Sequence, residues 1–250
     1  MADQTVIRFE TNGPAEGGLV QWDDFLPGIL MAGEGKQRGH EYFNRDSDAL
    51  TAGVWDCTPC TLKSEPYSVD EFMVVLEGSI VLNSPSGESE RYSAGEAFVI
   101  PRGLPCEWYQ DEYCRKFYMI WDDPGSRQKP DLPATALRFD PGAQLPRVED
   151  QDPDAYLSDV PDMGHVTVYK DATGQLEAGI WECSPMQRKP ATLARSELMH
   201  ILEGSGSITN ADGVVFEFSA GDTFLVPIGM GYQWHNTEYV KKYFCAFTPS

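Results

Sequence analysis

Apolar and polar positions alternate over short distances along this chain, and no segment sustains the three-to-four-residue spacing of a long helix. Runs such as Phe72 to Leu76, Ile80 to Leu82, Ala97 to Pro101 and Lys116 to Trp121 are brief and rich in β-branched and aromatic residues, which suit a pleated surface. They predict strands. Between them lie clusters such as Ser84-Pro85-Ser86-Gly87 and Ala211-Asp212-Gly213, the punctuation of hairpins. The expected class is all-β. Phe72-Met73-Val74-Val75-Leu76 is apolar at both parities, so its outer face also needs cover, from another barrel or from a second copy of the chain in a homodimer.

Comparison of the chain with itself organises these strands. Ala52-Gly53-Val54-Trp55-Asp56-Cys57-Thr58-Pro59 returns as Ala178-Gly179-Ile180-Trp181-Glu182-Cys183-Ser184-Pro185, a shift of 126 residues. The same shift carries Glu71 to Glu197, Gly78 to Gly204, Gly95 to Gly221, Trp108 to Trp234 and Lys116 to Lys242 without a gap. Thr5 to Glu10 has a weaker echo in Thr135 to Asp140 at a shift of 130. Two homologous units follow, expected at 1–123 and 134–250, with a proline-bearing linker at 124–133. Each unit is a meander that hides its edges by closing into a jelly-roll or small barrel, filled by side chains or holding one small ligand.

Both halves carry the spacing Glu, six residues, Gly, at Glu71 to Gly78 and Glu197 to Gly204. A second pattern runs from Gly95 to Pro101-Arg102-Gly103, Cys106 and Gln110, and from Gly221 to Pro227-Ile228-Gly229, Tyr232 and Asn236. With these motifs the chain resembles the cupin superfamily over nearly its full length. The Gly-Val-Trp-Asp-Cys-Thr-Pro and Glu-Phe-Met-Val-Val-Leu-Glu-Gly strings are similar to one branch, which includes the carboxy-terminal barrel of ureidoglycine aminohydrolase and the ethanolamine-utilisation cupin. The resemblance implies two tandem cupin barrels of the RmlC-like jelly-roll type, and implies far more about architecture than about chemistry.

A typical cupin holds a divalent metal with two histidines in His-x-His, the first-motif Glu and a second-motif His. Here those histidine positions hold Glu65, Tyr67 and Cys106 in the first unit, and Ala191 and Leu193 (or, with a longer spacer, Pro190 and Thr192) with Tyr232 in the second. The expectation is therefore no metal and no other cofactor, the alternative being a divalent ion among Glu65, Tyr67, Glu71 and Cys106. What remains is a candidate pocket in the first unit. By strand parity Met73 shares the face of Glu71, Trp55 joins from an earlier strand, and Cys106 and Trp108 share a face on the strand after Pro101. A carboxylate in that apolar setting either has a raised pKa or finds a cation, and Lys116 on the last strand is the nearest candidate by topology. Glu71, Lys116 and Tyr67 are the candidate acid–base residues; Glu65, Tyr67, Glu71, Met73, Cys106, Trp108 and Trp55 are the candidate ligand contacts. The four histidines, His40, His165, His200 and His235, read as loop, surface or outward-facing residues.

Charge narrows the partners. Nineteen Lys plus Arg against 39 Asp plus Glu give a net charge of −20, a field that repels nucleic acids and anionic lipid surfaces. The first seven residues lack a basic start and an apolar stretch, no run approaches a membrane span, and six scattered cysteines make no disulfide framework. A cytoplasmic protein is expected. Three functions fit: a metal-free binder of a small polar metabolite, amine- or ureide-like, in the first barrel; a hydrolase- or lyase-type enzyme on a nitrogen-containing metabolite, as the resemblance to ureidoglycine aminohydrolase implies; and a structural or oligomeric protein with filled barrels.

Overall fold

A computed structural model describes residues 5–122 and 131–250. The chain is all-β, relieved by single 3-10 turns at Asp46–Asp48 and Pro153–Ala155, and it divides into two compact units. One comprises 9–139 with 171–173; the other comprises 1–8, 140–170 and 174–250.

In the first unit one antiparallel sheet runs, in order of pairing, Leu137–Arg138, Ala97–Ile100, Asp70–Glu77, Cys114–Trp121, Leu50–Cys57, Gln37–Arg45 and Val20–Gln21. A second runs Ser89–Ser93, Ser79–Asn83, Pro105–Gln110, Cys60–Leu62 and Leu30–Gly33. Their inward faces meet in a core that includes Trp55, Met73, Val75, Ile80, Tyr92, Phe98 and Tyr118. The outward residues Phe72 and Val74 are also buried, and Phe139 packs edge-on against Phe72. That accounts for a run apolar at both parities.

The second unit repeats the plan. Its larger sheet runs Ile7–Phe9, Thr223–Val226, Ser196–Glu203, Val240–Phe247, Leu176–Cys183 and Met163–Lys170, and its smaller one is built on Gly231–Asn236 and Ser205–Asn210. In each unit a glycine with positive φ, Gly78 at 72° and Gly204 at 80°, turns the chain between two strands. A Cβ there would come within 1.9 Å of the Tyr113 or Tyr239 carbonyl oxygen, so the repeated glycine is a steric requirement.

The strand pairing departs from the boundaries read at 1–123 and 134–250. Ile7–Phe9 pairs with Thr223–Val226, and Leu137–Arg138 pairs with Ala97–Ile100, so each repeat's leading strand completes the sheet of the other repeat. The two segments are equivalents with the same pattern, and a pattern does not say which of two equivalent edges a strand will join. The linker read at 124–133 lies, as far as residue 130, outside the described residues. Among the described residues no helix is long and apolar enough to cross a membrane.

Candidate functional site

Alternation along Asp70–Glu77 turns Glu71, Met73 and Val75 to the interior of the first barrel, and Lys116 reaches them from the paired strand Cys114–Trp121. Lys116 Nζ donates to Glu71 Oε1 at 2.6 Å and lies 3.1 Å from Met73 Sδ. Both charged residues are deeply buried, 5% exposed for Lys116 and 3% for Glu71. Nζ also sits 4.9 Å from the ring centroids of both Trp55 and Trp108, where indole faces attract a cation. The Tyr67 hydroxyl donates to the other carboxylate oxygen, Glu71 Oε2. Burial, reinforced by the negative charge of Glu71, raises the Tyr67 phenol well above its usual range, so it stays a proton donor.

The indoles are fixed from behind. Trp108 Nε1 donates to Gln110 Oε1 at 2.9 Å, and Gln110 Nε2 donates to the backbone oxygens of Cys57 at 2.9 Å and Thr58 at 3.1 Å. Trp55 Nε1 donates to Gln37 Oε1 at 3.1 Å, and the two rings meet edge to face at 5.9 Å. This frame borders a cavity of about 360 Å³ whose other walls include Trp22, Phe25, Glu41, Leu62, Tyr118 and Ile120.

The second barrel carries the same frame. Lys242 Nζ donates to Glu197 Oε1 at 2.7 Å, lies 3.1 Å from Met199 Sδ, and is 4.9 and 5.2 Å from the centroids of Trp181 and Trp234. Asn236 takes the part of Gln110, accepting from Trp234 Nε1 at 2.8 Å. The third partner differs. In place of a tyrosine, Arg195 Nε and Nη2 reach Glu197 Oε2 at 2.9 and 2.8 Å. Burial alone would raise the Glu197 carboxyl, but the charges of Lys242 and Arg195 outweigh it and hold it at about 2. The cavity here shrinks to about 110 Å³.

Of the residues singled out from sequence, Glu71, Lys116, Tyr67, Trp55 and Trp108 come together on the first cavity, with Met73 beneath Lys116. Cys106 is a core residue off the cavity wall, and burial pushes its thiol up to about 11, far from a neutral-pH nucleophile. Glu65 is not part of the site. It occupies a two-residue strand, its side chain is 39% exposed, and it pairs with Lys63 at 2.9 Å, because motif spacing counts residues without fixing the parity of so short a strand. His165, read from the sequence as a surface or loop residue, stands on the strand Met163–Lys170, stacks on Phe244 and lines the second cavity. Trp22 and Glu41 stand at positions that the same 126-residue shift carries to Val148 and Thr167, so no residue shared by the two copies flags them, whereas Arg195 lies just two residues before Glu197.

The EutQ-like cupin domain matches twice, over residues 45–118 and 170–244. The chain belongs to the EutQ-like cupin family. A solved protein of unknown function from Pseudomonas syringae pv. tomato aligns over 98% of this cupin and 100% of its own chain, at 22% identity and a TM-score of 0.79. Protein Ylba from E. coli aligns over 98% of this cupin and 95% of its own chain at 12% identity and a TM-score of 0.58, and a cupin 2 conserved barrel domain protein from Leptotrichia buccalis over 87% and 92% at 10% and 0.61. At these identities the likeness is one of fold. No curated protein matches this cupin.

The cupin fold implies a barrel metal, and the donor set here does not fit one. In each barrel the first-motif carboxylate is already bound to an ammonium, which would repel a divalent ion at the same oxygens. Glu65 and Cys106 do not join Glu71 and Tyr67 as ligands, and among the described residues no three His, Cys, Asp or Glu side chains converge as a metal site.

Proposed function

We propose that the first barrel binds a small polar metabolite bearing N–H groups, amine- or ureide-like, against the Glu71–Lys116–Tyr67 cluster. The supporting observation is the cavity of about 360 Å³ beside that cluster, with aromatic walls and a few polar groups, the usual make-up of a small-molecule site. A barrel filled by its own side chains would leave no such space. The groups free to meet a ligand are one acceptor, the second oxygen of Glu41, and two hydroxyls that can accept or donate. Tyr118 and Thr51 hydroxyls have no hydrogen-bond partner among the described residues, and Glu41 uses one oxygen on Asn44 while offering the other. Ligand N–H groups would satisfy them. Lys116, the cation of the wall, is already committed to Glu71.

A second reading is favoured by the unbroken hydrogen-bond chain from Tyr67 through Glu71 to Lys116, which can pass a proton to or from a nitrogen-containing substrate. A thermal-shift screen of amines, ureides and carboxylates tests the first reading, which expects stabilisation by the N–H-bearing classes, lost in Glu41→Gln and Tyr118→Phe. No response from any of them would sink it. Turnover of the stabilising compound, abolished in Glu71→Gln while binding survives, would establish the second. We place the protein in the cytoplasm, a reading supported by six unpaired, buried cysteines.

A further inference from the structure

We infer that the second barrel is an anion site that holds a small monocarboxylate between Arg188 and Tyr232. Its cavity is lined by Arg188, Arg195 and Lys242 against a single carboxylate, Glu197. Lys242 and Arg195 are spent on Glu197, at 2.7 and 2.8 Å, and Arg195 Nη1 also reaches Glu177 at 3.2 Å. Arg188 is different. Its guanidinium lies 5.7 Å from the Tyr156 ring centroid, and no carboxylate among the described residues comes within ion-pair distance of it. The Tyr232 hydroxyl likewise has no hydrogen-bond partner among the described residues, and burial raises its phenol, so it remains a donor. His165 adds no charge, since burial lowers its imidazole below the usual range.

The wall thus offers one planar guanidinium fork and one hydroxyl donor, with a positive balance, around a cavity of about 110 Å³. A guanidinium fork matches the two oxygens of a carboxylate. The remaining wall, including Met186, Leu193 and Phe244, is apolar and suits a short alkyl tail. A phosphate dianion would bring more acceptor oxygens than these donors satisfy, at a desolvation cost the wall cannot offset. A cation would be repelled.

Propionate serves as the probe, with inorganic phosphate and propylammonium as comparisons, titrated into the full chain by calorimetry. Saturable propionate binding is expected, weakened about tenfold or more in Arg188→Gln, the loss of one charge-assisted pair, and by a smaller factor in Tyr232→Phe. Neither comparison ion should compete. An Arg188→Gln protein that melts like the wild type yet binds propionate unchanged would overturn the proposal, as would absence of saturable binding, or phosphate or propylammonium binding as tightly as propionate. Should Arg188→Gln misfold, unchanged binding by Tyr232→Phe overturns it instead.

Discussion

The Glu71–Lys116 pair invites a double-mutant cycle, because its two opposing terms are large and of similar size. Across 2.6 Å the attraction amounts to about 6 kcal/mol at an effective dielectric of about 20. Taking each ion out of water costs several kcal/mol, so the intact pair contributes little net stability. Removing one partner is another matter. Lys116→Met leaves Glu71, 3% exposed, with the Tyr67 hydroxyl as its remaining partner, and Glu71→Gln leaves the ammonium of Lys116 facing a neutral amide. Each single change is expected to cost about 3–5 kcal/mol, and the double change Glu71→Gln/Lys116→Met far less than the sum, for a coupling energy of about 3 kcal/mol or more. Urea unfolding of the full chain, followed by tryptophan fluorescence, measures all four corners. Single effects near zero, or additivity within about 0.5 kcal/mol, would show that the charges are not confined as described. The double variant also separates charge from shape in recognition, since the amide introduced by Glu71→Gln can still accept from Tyr67 while both charges are gone.

Three other outcomes are expected. Glu197 titrates at about 2 in the folded chain against an ordinary 4.5, so its contribution is fully present above 4.5 and is lost as pH falls through 2; the stability gap between wild type and Glu197→Gln should close over that interval in acid-unfolding curves. Gly204→Ala should destabilise the second unit by about 1–3 kcal/mol or more, read as a lowered Tm, because the residue needs φ of 80° and its Cβ would strike the Tyr239 carbonyl. Tyr67→Phe removes a hydrogen bond to a charged acceptor and should cost about 1.5–3 kcal/mol in urea unfolding while weakening any ligand found in the thermal-shift screen; full retention of both would mean that Tyr67 does not serve the Glu71 carboxylate.

The 126-residue offset made the shared frame legible, since Glu71, Trp108 and Lys116 recur as Glu197, Trp234 and Lys242, and strand parity was enough to bring Glu71 and Lys116 to one interior. Motif spacing served less well where a strand is two residues long, and Glu65 shows the consequence. The mouth of the first cavity was not legible. Trp22 and Glu41 lie on segments whose pairing repeats at the 126-residue shift while their residues do not, Val148 and Thr167 standing at the equivalent positions, so comparison of the chain with itself passed them over. Strand exchange was illegible for a related reason, because the leading strands of two homologous units are interchangeable in everything but chain connectivity.

The duplication also bears on the two recognitions proposed above. A buried carboxylate with two oxygens needs more than one partner, and Lys116 or Lys242 satisfies one oxygen in each barrel. In the first barrel the other oxygen takes a neutral phenol, Tyr67, where the second has Leu193; in the second it takes the guanidinium of Arg195, where the first has Val69. A phenol completes the hydrogen bonding without adding charge, so one cation meets one anion and the electrostatic character of the first cavity is left to Glu41 and the hydroxyls on its wall. A guanidinium completes the same hydrogen bonding and adds a positive charge, shared with Glu177 at 3.2 Å, beside which the unpaired Arg188 on the same wall underlies the proposed preference of the second cavity for anions. The charge of each site therefore follows from which residue, four or two positions before the repeated carboxylate, supplies its second partner.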